Sequence, residues 1–176
     1  KNVLDIPLML EWNTWRAMTM LDGGTIKANL KFDDNGLPMS TAQGNMADIF
    51  CDYDEYGLTV EVTTARGQKQ YEMESEPVSR HSAKYKKETG KDAYCLFIAP
   101  KINEACIAHF FMLHKMNIAF YGGKSIIVPV DITTFRKMLT DSYKADYQPN
   151  PRQVKSLFEY SLEVAEKANN EVEWYE

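Results

Sequence analysis

The sequence predicts an α/β fold with a mixed central sheet flanked by helices, and three observations carry that expectation. Two short apolar runs, 49–53 and 58–63, stand either side of Asp54-Glu55-Tyr56-Gly57, which has the composition of a hairpin turn. Two further runs, AYCLFIAP at 93–100 and SIIVPV at 125–130, are apolar without alternation, as strands covered on both faces are. Each is followed by a stretch with helical periodicity, so paired strands give way to strand–helix–strand–helix, the order of a layered sheet.

In chain order, residues 8–21 form a helix by pattern, with Leu10, Thr14, Ala17, Met18 and Leu21 recurring at three and four, and Gly23-Gly24 ending it. Glu11, beside Trp12 and Trp15, reads on its own as a solvated carboxylate near a helix start, where the macrodipole favours it. Residues 25–32 alternate weakly and read as one strand closed by the turn Asp33-Asp34-Asn35-Gly36. Residues 37–45 are rich in small side chains and read as a loop. The hairpin follows, then an amphipathic charged stretch, mostly helical from 66 to 88, with a break expected at Glu76-Pro77. Beyond the buried strand at 93–100, Asn103 caps a helix to 117 that carries Cys106, Phe110, Leu113 and His114 on one stripe. Pro129 suggests that the 125–130 strand lies at an edge or ends there. Asp131 caps a helix to about 141, and Asn150-Pro151 opens the last helix, which runs to about 168. The tail EVEWYE is acidic and is expected to fray.

The 176 residues suffice for one domain with a sizeable core and are too few for two, so 1–176 is expected to be a single domain. Composition is that of a soluble globular protein. Cys51, Cys95 and Cys106 all lie in apolar segments without metal-ligand spacing and read as reduced core residues. His109 and His114 are five apart, not the four of a helical zinc pair. No stretch reads as a signal peptide or a transmembrane span, so a cytoplasmic protein with no membrane partner is expected. The net charge of −5 is unusual for a chain that grips DNA alone, because Lys and Arg supply that affinity.

The hairpin holds the chemistry. Val60 and Val62 alternate with Thr59, Glu61 and Thr63, the period of a half-buried strand, so Glu61 points away from the valines. A turn pairing Tyr53 with Leu58 puts Asp48 opposite Thr63 and makes Glu61 its diagonal neighbour on the same face, roughly 7–8 Å away. Two carboxylates at that separation can share a divalent ion. A slip of one residue would put them on opposite faces. Glu74 lies thirteen residues beyond Glu61, which itself lies thirteen beyond Asp48, and the helix returns Glu74 toward the sheet. Glu72, Glu74 and Glu76 otherwise read as a solvated charge run. Gln70 shares Glu74's helix face and is a candidate to orient substrate or water. Arg80 and His81 read either as a phosphate contact or as support for the acids. Lys84, Lys86, Lys87 and Lys91 are phosphate-contact candidates or plain surface.

An Asp opening one strand and a Glu among apolar residues in the next resembles the PD-(D/E)XK restriction-endonuclease-like core. The wording ADIF followed by LTVEVTTARGQKQYEMESEPVSRH, with LMLEWNTWRAM near the start, is similar to the AlwI-type family of type IIS restriction endonucleases. Within it the likeness is to small subunits whose large partner works alone as a site-specific nicking enzyme. It is dense over residues 8–21 and 46–81. The resemblance implies catalytic roles for Glu11, Asp48, Glu61 and Glu74. It implies one or two Mg²⁺ ions held by Asp48, Glu61 and the carbonyl of Val62, with double-stranded DNA as substrate. It departs from the superfamily at Thr63, where a lysine is expected. Compensation is sought in a second metal, in Gln70 or in Lys101.

The implied function is a subunit that cuts one strand of a duplex when docked to a site-recognising large subunit, since the chain has no base-reading module of its own. Two rivals stand beside it: a free-standing nuclease of repair or recombination, and a non-catalytic assembly subunit whose acids are surface charge.

Overall fold

The computed structural model describes residues 5–20, 24–41 and 44–176. Helix α1 (Ile6–Met18) begins where the Asp5 side chain accepts from the Leu8 N–H. Leu21 and Gly23, the expected helix end, lie outside the described residues. The strand expected over 25–32 is two: β1 (Thr25–Ala28) and β2 (Leu30–Phe32). The break falls at Asn29, whose N–H donates to the Asp48 carbonyl at 2.7 Å. The chain is thereby held to the main sheet at one point and released to form a separate ribbon. In that ribbon β2 pairs antiparallel with β3 (Pro38–Thr41), a strand where a loop was expected.

Strand β4 (Ile49–Asp52) pairs antiparallel with β5 (Tyr56–Val62), but two residues out of the expected register: Cys51, not Tyr53, faces Leu58. The cause is a tighter turn. The Tyr53 N–H donates to the Tyr56 carbonyl at 3.0 Å, leaving only Asp54 and Glu55 in the loop. Asp54 takes a left-handed conformation, φ 64°, that its short polar side chain tolerates. A shift of two preserves face parity, and continuing the ladder one step puts Asp48 directly opposite Glu61. Strand β5 is also buried along its whole length, not on one face alone.

Helix α2 (Gln68–Thr89) crosses from β5 to the parallel β6 (Asp92–Ala99) and runs unbroken through Pro77. The carbonyl that Pro77 leaves without a helical partner is that of Met73, an exposed residue. Helix α3 (Glu104–Lys115) leads to β7 (Ile126–Asp131), parallel to β6. The five-stranded sheet runs β1-β4-β5-β6-β7, and Pro129 sits in the edge strand. Helices α4 (Ile132–Lys144) and α5 (Pro151–Lys167) follow, capped by Asp131 and by an Asn150–Gln153 capping box. The tail does not fray. It forms α6 (Glu171–Tyr175), in which Trp174 is buried against Phe111 and His114 and donates to Ser161.

Two cores cover the sheet. Leu58, Val60, Leu96, Ile98 and Phe158 pack on one face beneath α1, α4 and α5. Val78, Cys95, Phe97, Phe110 and Ile127 pack on the other beneath α2 and α3. Helix α2 lies close on β5 because Gly57 has no side chain: a Cβ there would fall inside the Tyr85 ring. That close approach carries the inner face of α2 down to Glu61.

Candidate active site

Four carboxylates converge where β5 emerges between α1 and α2. Asp48 precedes β4, and its Oδ2 accepts the Val62 N–H at 2.7 Å. Burial raises the Glu61 carboxyl pKa, and the Asp48 backbone in turn lowers it. Residues directly opposed in an antiparallel pair have Cβ atoms roughly 4.5–5.5 Å apart, closer than the diagonal placement expected from sequence. Glu61 is only 5% exposed. Glu11 is not the solvated carboxylate its position suggested. It lies on the inner stripe of α1 with Leu8, Thr14 and Met18, and its Oε2 is buried without a partner among the described residues. Glu74 is half-buried on α2, with its carboxyl pKa raised by its own burial and lowered, to a lesser degree, by the Thr63 hydroxyl.

Burial is the largest cause of the high carboxyl pKa values here, with mutual repulsion added to it. The Glu11 carboxyl is pushed up to about 8 by desolvation and by Asp48 and Asp5. That of Asp48 rises to about 7 by desolvation and by Glu74, against the Val62 hydrogen bond that lowers it. Glu61 is raised well above the carboxylate range by burial and by Asp48, Glu74 and Glu11 together. Glu74 is raised by its own burial. Buried acids that repel one another do not hold a fold together, and they accumulate where chemistry needs them.

His81 enters this group from α2, its Nδ1 2.8 Å from Glu61 Oε1. Desolvation first, then Arg80, pulls the imidazole down to about 4, so the ring is neutral at pH 7. While burial keeps Glu61 protonated its O–H donates to Nδ1, and once Glu61 is ionised Nδ1 must donate instead, leaving Nε2, buried without a partner among the described residues, as an acceptor. Sequence reasoning left this contact open, although a signal for it existed. Glu74 and His81 are seven apart, two turns along one helix face.

The structure separates other candidates from the site. Gln70 is fully buried and bound to backbone: it donates to the Ala65 and Lys101 carbonyls and accepts from Asn103 N–H at 2.7 Å. It staples the loops after β5 and β6, and both of its donors are used, so none is left for substrate. Arg80 pairs with Glu76, Lys91 with Asp52, and Lys86 donates to the Lys124 carbonyl. Lys101 is exposed on the loop between β6 and α3. His114 is a core histidine, its Nδ1 on the Phe110 carbonyl and its Nε2 3.3 Å from Ser161 Oγ.

As donors, the four acids are hard oxygens suited to Mg²⁺ or Ca²⁺ rather than to a soft metal. The orphaned Glu11 oxygen and the crowding of negative charge fit a divalent cation. Among the described residues, no three His, Cys, Asp or Glu side chains stand close enough together to form a ready-made metal cage.

A mixed sheet with a parallel β5–β6–β7 unit, an Asp–Glu pair across its central hairpin and a further acid on the next helix together define a restriction-endonuclease-like protein. The AlwI restriction endonuclease family model matches residues 3–138, and the chain belongs to that family. Among solved structures it is similar to the small subunit, R.BspD6I2, of the heterodimeric restriction endonuclease R.BspD6I. That likeness has a TM-score of 0.79 and 26% identity, over 94% of this chain and 88% of that one. No curated protein matches the sequence. Among the described residues, no helix is long and apolar enough to cross a membrane.

Proposed function

We propose that this chain is the cleaving subunit of a type IIS restriction endonuclease. It hydrolyses one strand of duplex DNA, with Mg²⁺, when complexed with a large subunit that recognises the site and nicks the other strand. The observation that carries this reading is the placement of Asp48, held on the Val62 N–H, opposite buried Glu61 and beside buried Glu11 and half-buried Glu74. Four acids gathered around the end of the central strand need a counter-ion to be ionised at once.

Asp48 and Glu61, with the Val62 carbonyl, would hold one or two ions. A bound metal would lower the pKa of its water and offset charge on the scissile phosphate. Glu74 and Glu11 would position the attacking water. His81 orients Glu61 by hydrogen bond, as partners of metal-binding carboxylates do. The chain serves as a single cleavage domain, acts in the cytoplasm and leaves base reading to its partner. Its net charge of −5 supports this division, because the partner then supplies most of the phosphate contacts. The likeness to a subunit of a heterodimeric enzyme supports it as well.

The test is cleavage of supercoiled plasmid with Mg²⁺ by this chain, by a recognising large subunit, and by both. Linear product from the mixture alone, reduced to nicked circles by Glu61→Ala, is the expected result. Linear product from the Glu61→Ala mixture would exclude the assignment.

A further inference from the structure

We propose that Arg66, Lys69 and Lys101 form a phosphate-binding platform that holds the DNA backbone beside the scissile phosphate. This inference rests on the nuclease reading above. The three bases come from two loops and a helix start that the sheet brings together. The Thr63 N–H donates to the Ile98 carbonyl at 3.0 Å, so the chain leaves β5 and β6 side by side. Buried Gln70 then ties both loops to α2, its Nε2 donating to the Ala65 carbonyl at 2.9 Å and to the Lys101 carbonyl at 3.0 Å. Arg66 follows Ala65, Lys69 precedes Gln70, and the Lys101 backbone is itself one of the tied groups. The backbone of the platform is therefore fixed, while all three side chains are exposed.

Charge decides what the platform binds. None of the three bases has an acidic partner among the described residues, whereas Lys91, Lys124 and Lys155 pair with Asp52, Glu166 and Glu159. In a chain of net charge −5 acids are in excess, so bases left unpaired in one place are available to an outside anion. They do not serve the helix either. Helix α2 begins at Gly67 without a side-chain cap or an acid in its first turn, and the macrodipole disfavours cations there. Glu72 on the same helix is engaged by Gln68 Nε2 at 3.2 Å. Gln70 and Glu74 stand one turn apart on one face of α2, with Cβ atoms roughly 5–6 Å apart. The platform thus lies about one helical turn from the acids, where the backbone of a duplex with its scissile phosphate on Asp48 and Glu61 continues. Such backbone contacts set register and carry no sequence information, which suits a chain with no base-reading module.

The experiment uses the complex with a recognising large subunit, on a duplex that carries that subunit's site and is labelled on both strands. The rate of this chain's nick is divided by the rate of the partner's nick, which cancels recognition by the partner. For the wild-type chain the ratio is expected to fall about 40-fold between about 50 and 200 mM salt, as three phosphate contacts require. Arg66→Gln/Lys69→Gln/Lys101→Gln is expected to lower the ratio on the order of 10-fold at the lower salt and to flatten its salt dependence. Arg136→Gln/Lys144→Gln, which removes two exposed bases of α4, is expected to keep the wild-type ratio. A wild-type ratio and salt slope in the triple variant would overturn the proposal, as would an equal loss in the α4 variant. Weaker association of the triple variant with the large subunit in the absence of DNA would make the platform a protein interface, and would also overturn it. Melting temperature is read on the same samples, and a fall that accounts for the lost rate would overturn it too. Glu61→Ala is the control for the underlying reading: if it still cuts, the nuclease assignment fails, whatever the platform does. If Glu61→Ala does not cut and the triple variant behaves as wild type, the platform alone fails.

Discussion

The two faces of β5 are both buried, yet they do opposite things. On one face Leu58, Val60 and Val62 join an apolar core with Ile49, Ile98 and Phe158. On the other, Glu61 sits beneath α2 with Asp48 and Glu74, each carboxyl raised by burial. A buried apolar side chain stabilises the fold by about 1.5–3 kcal/mol, whereas an unpaired buried acid works against it. One strand therefore carries the stability on one side and the chemistry on the other.

Breaking each face should give separable losses. Glu61→Ala is expected to abolish cleavage of one strand, a loss of at least about 10³-fold, without lowering the melting temperature, since a repelling charge is removed. Rate and melting curves on the same preparation check both halves. Phe158→Ala, on the apolar face, is expected to destabilise by about 3–5 kcal/mol in denaturant titration, with cleavage per folded molecule unchanged. His81→Ala is expected to slow cleavage about 10–100-fold by freeing Glu61 to rotate, read as turnover at saturating DNA.

The smallest effect is a pH dependence of the fold. Glu11 and Asp48 have folded pKa values of about 8 and 7, above their ordinary 4.5 and 3.8. In the window between, the native state holds more protons than the unfolded chain, so their contribution is full below about pH 4 and is lost as pH rises toward 8. Thermal melts are expected to drop by a few degrees from pH 5 to pH 8, and Ca²⁺ to reverse the drop at pH 8 more than at pH 5. An unchanged melt across that range, with or without the cation, would show that the acids are not coupled as described.

Much of this was legible in the sequence because period and spacing survive small errors. The apolar runs at 93–100 and 125–130 became β6 and β7 as read, and the caps Asn103, Asp131 and Asn150 lie where they were expected. The hairpin register was wrong by two, yet an even shift keeps Asp48 and Glu61 on one face. What could not be read depended on tertiary contact. Pro77 stays in a helix whose orphaned carbonyl belongs to the exposed residue Met73, and Trp174 anchors the tail through Ser161 on α5. Gln70 has the spacing of a site residue, yet its amide is occupied by three backbone groups that only the fold brings near. Glu11 looked exposed because its helix was read alone, although 8, 11, 14 and 18 form a stripe that faces the sheet.

The central claim is most directly tested with an end-labelled duplex bearing the recognition site, Mg²⁺, and a large subunit whose own nuclease centre has been inactivated. Only this chain can then cut, and the account predicts a single nick in one defined strand, lost in both Asp48→Ala and Glu61→Ala. A nick that persists in those variants, or none with the wild-type chain bound in the complex, would contradict it.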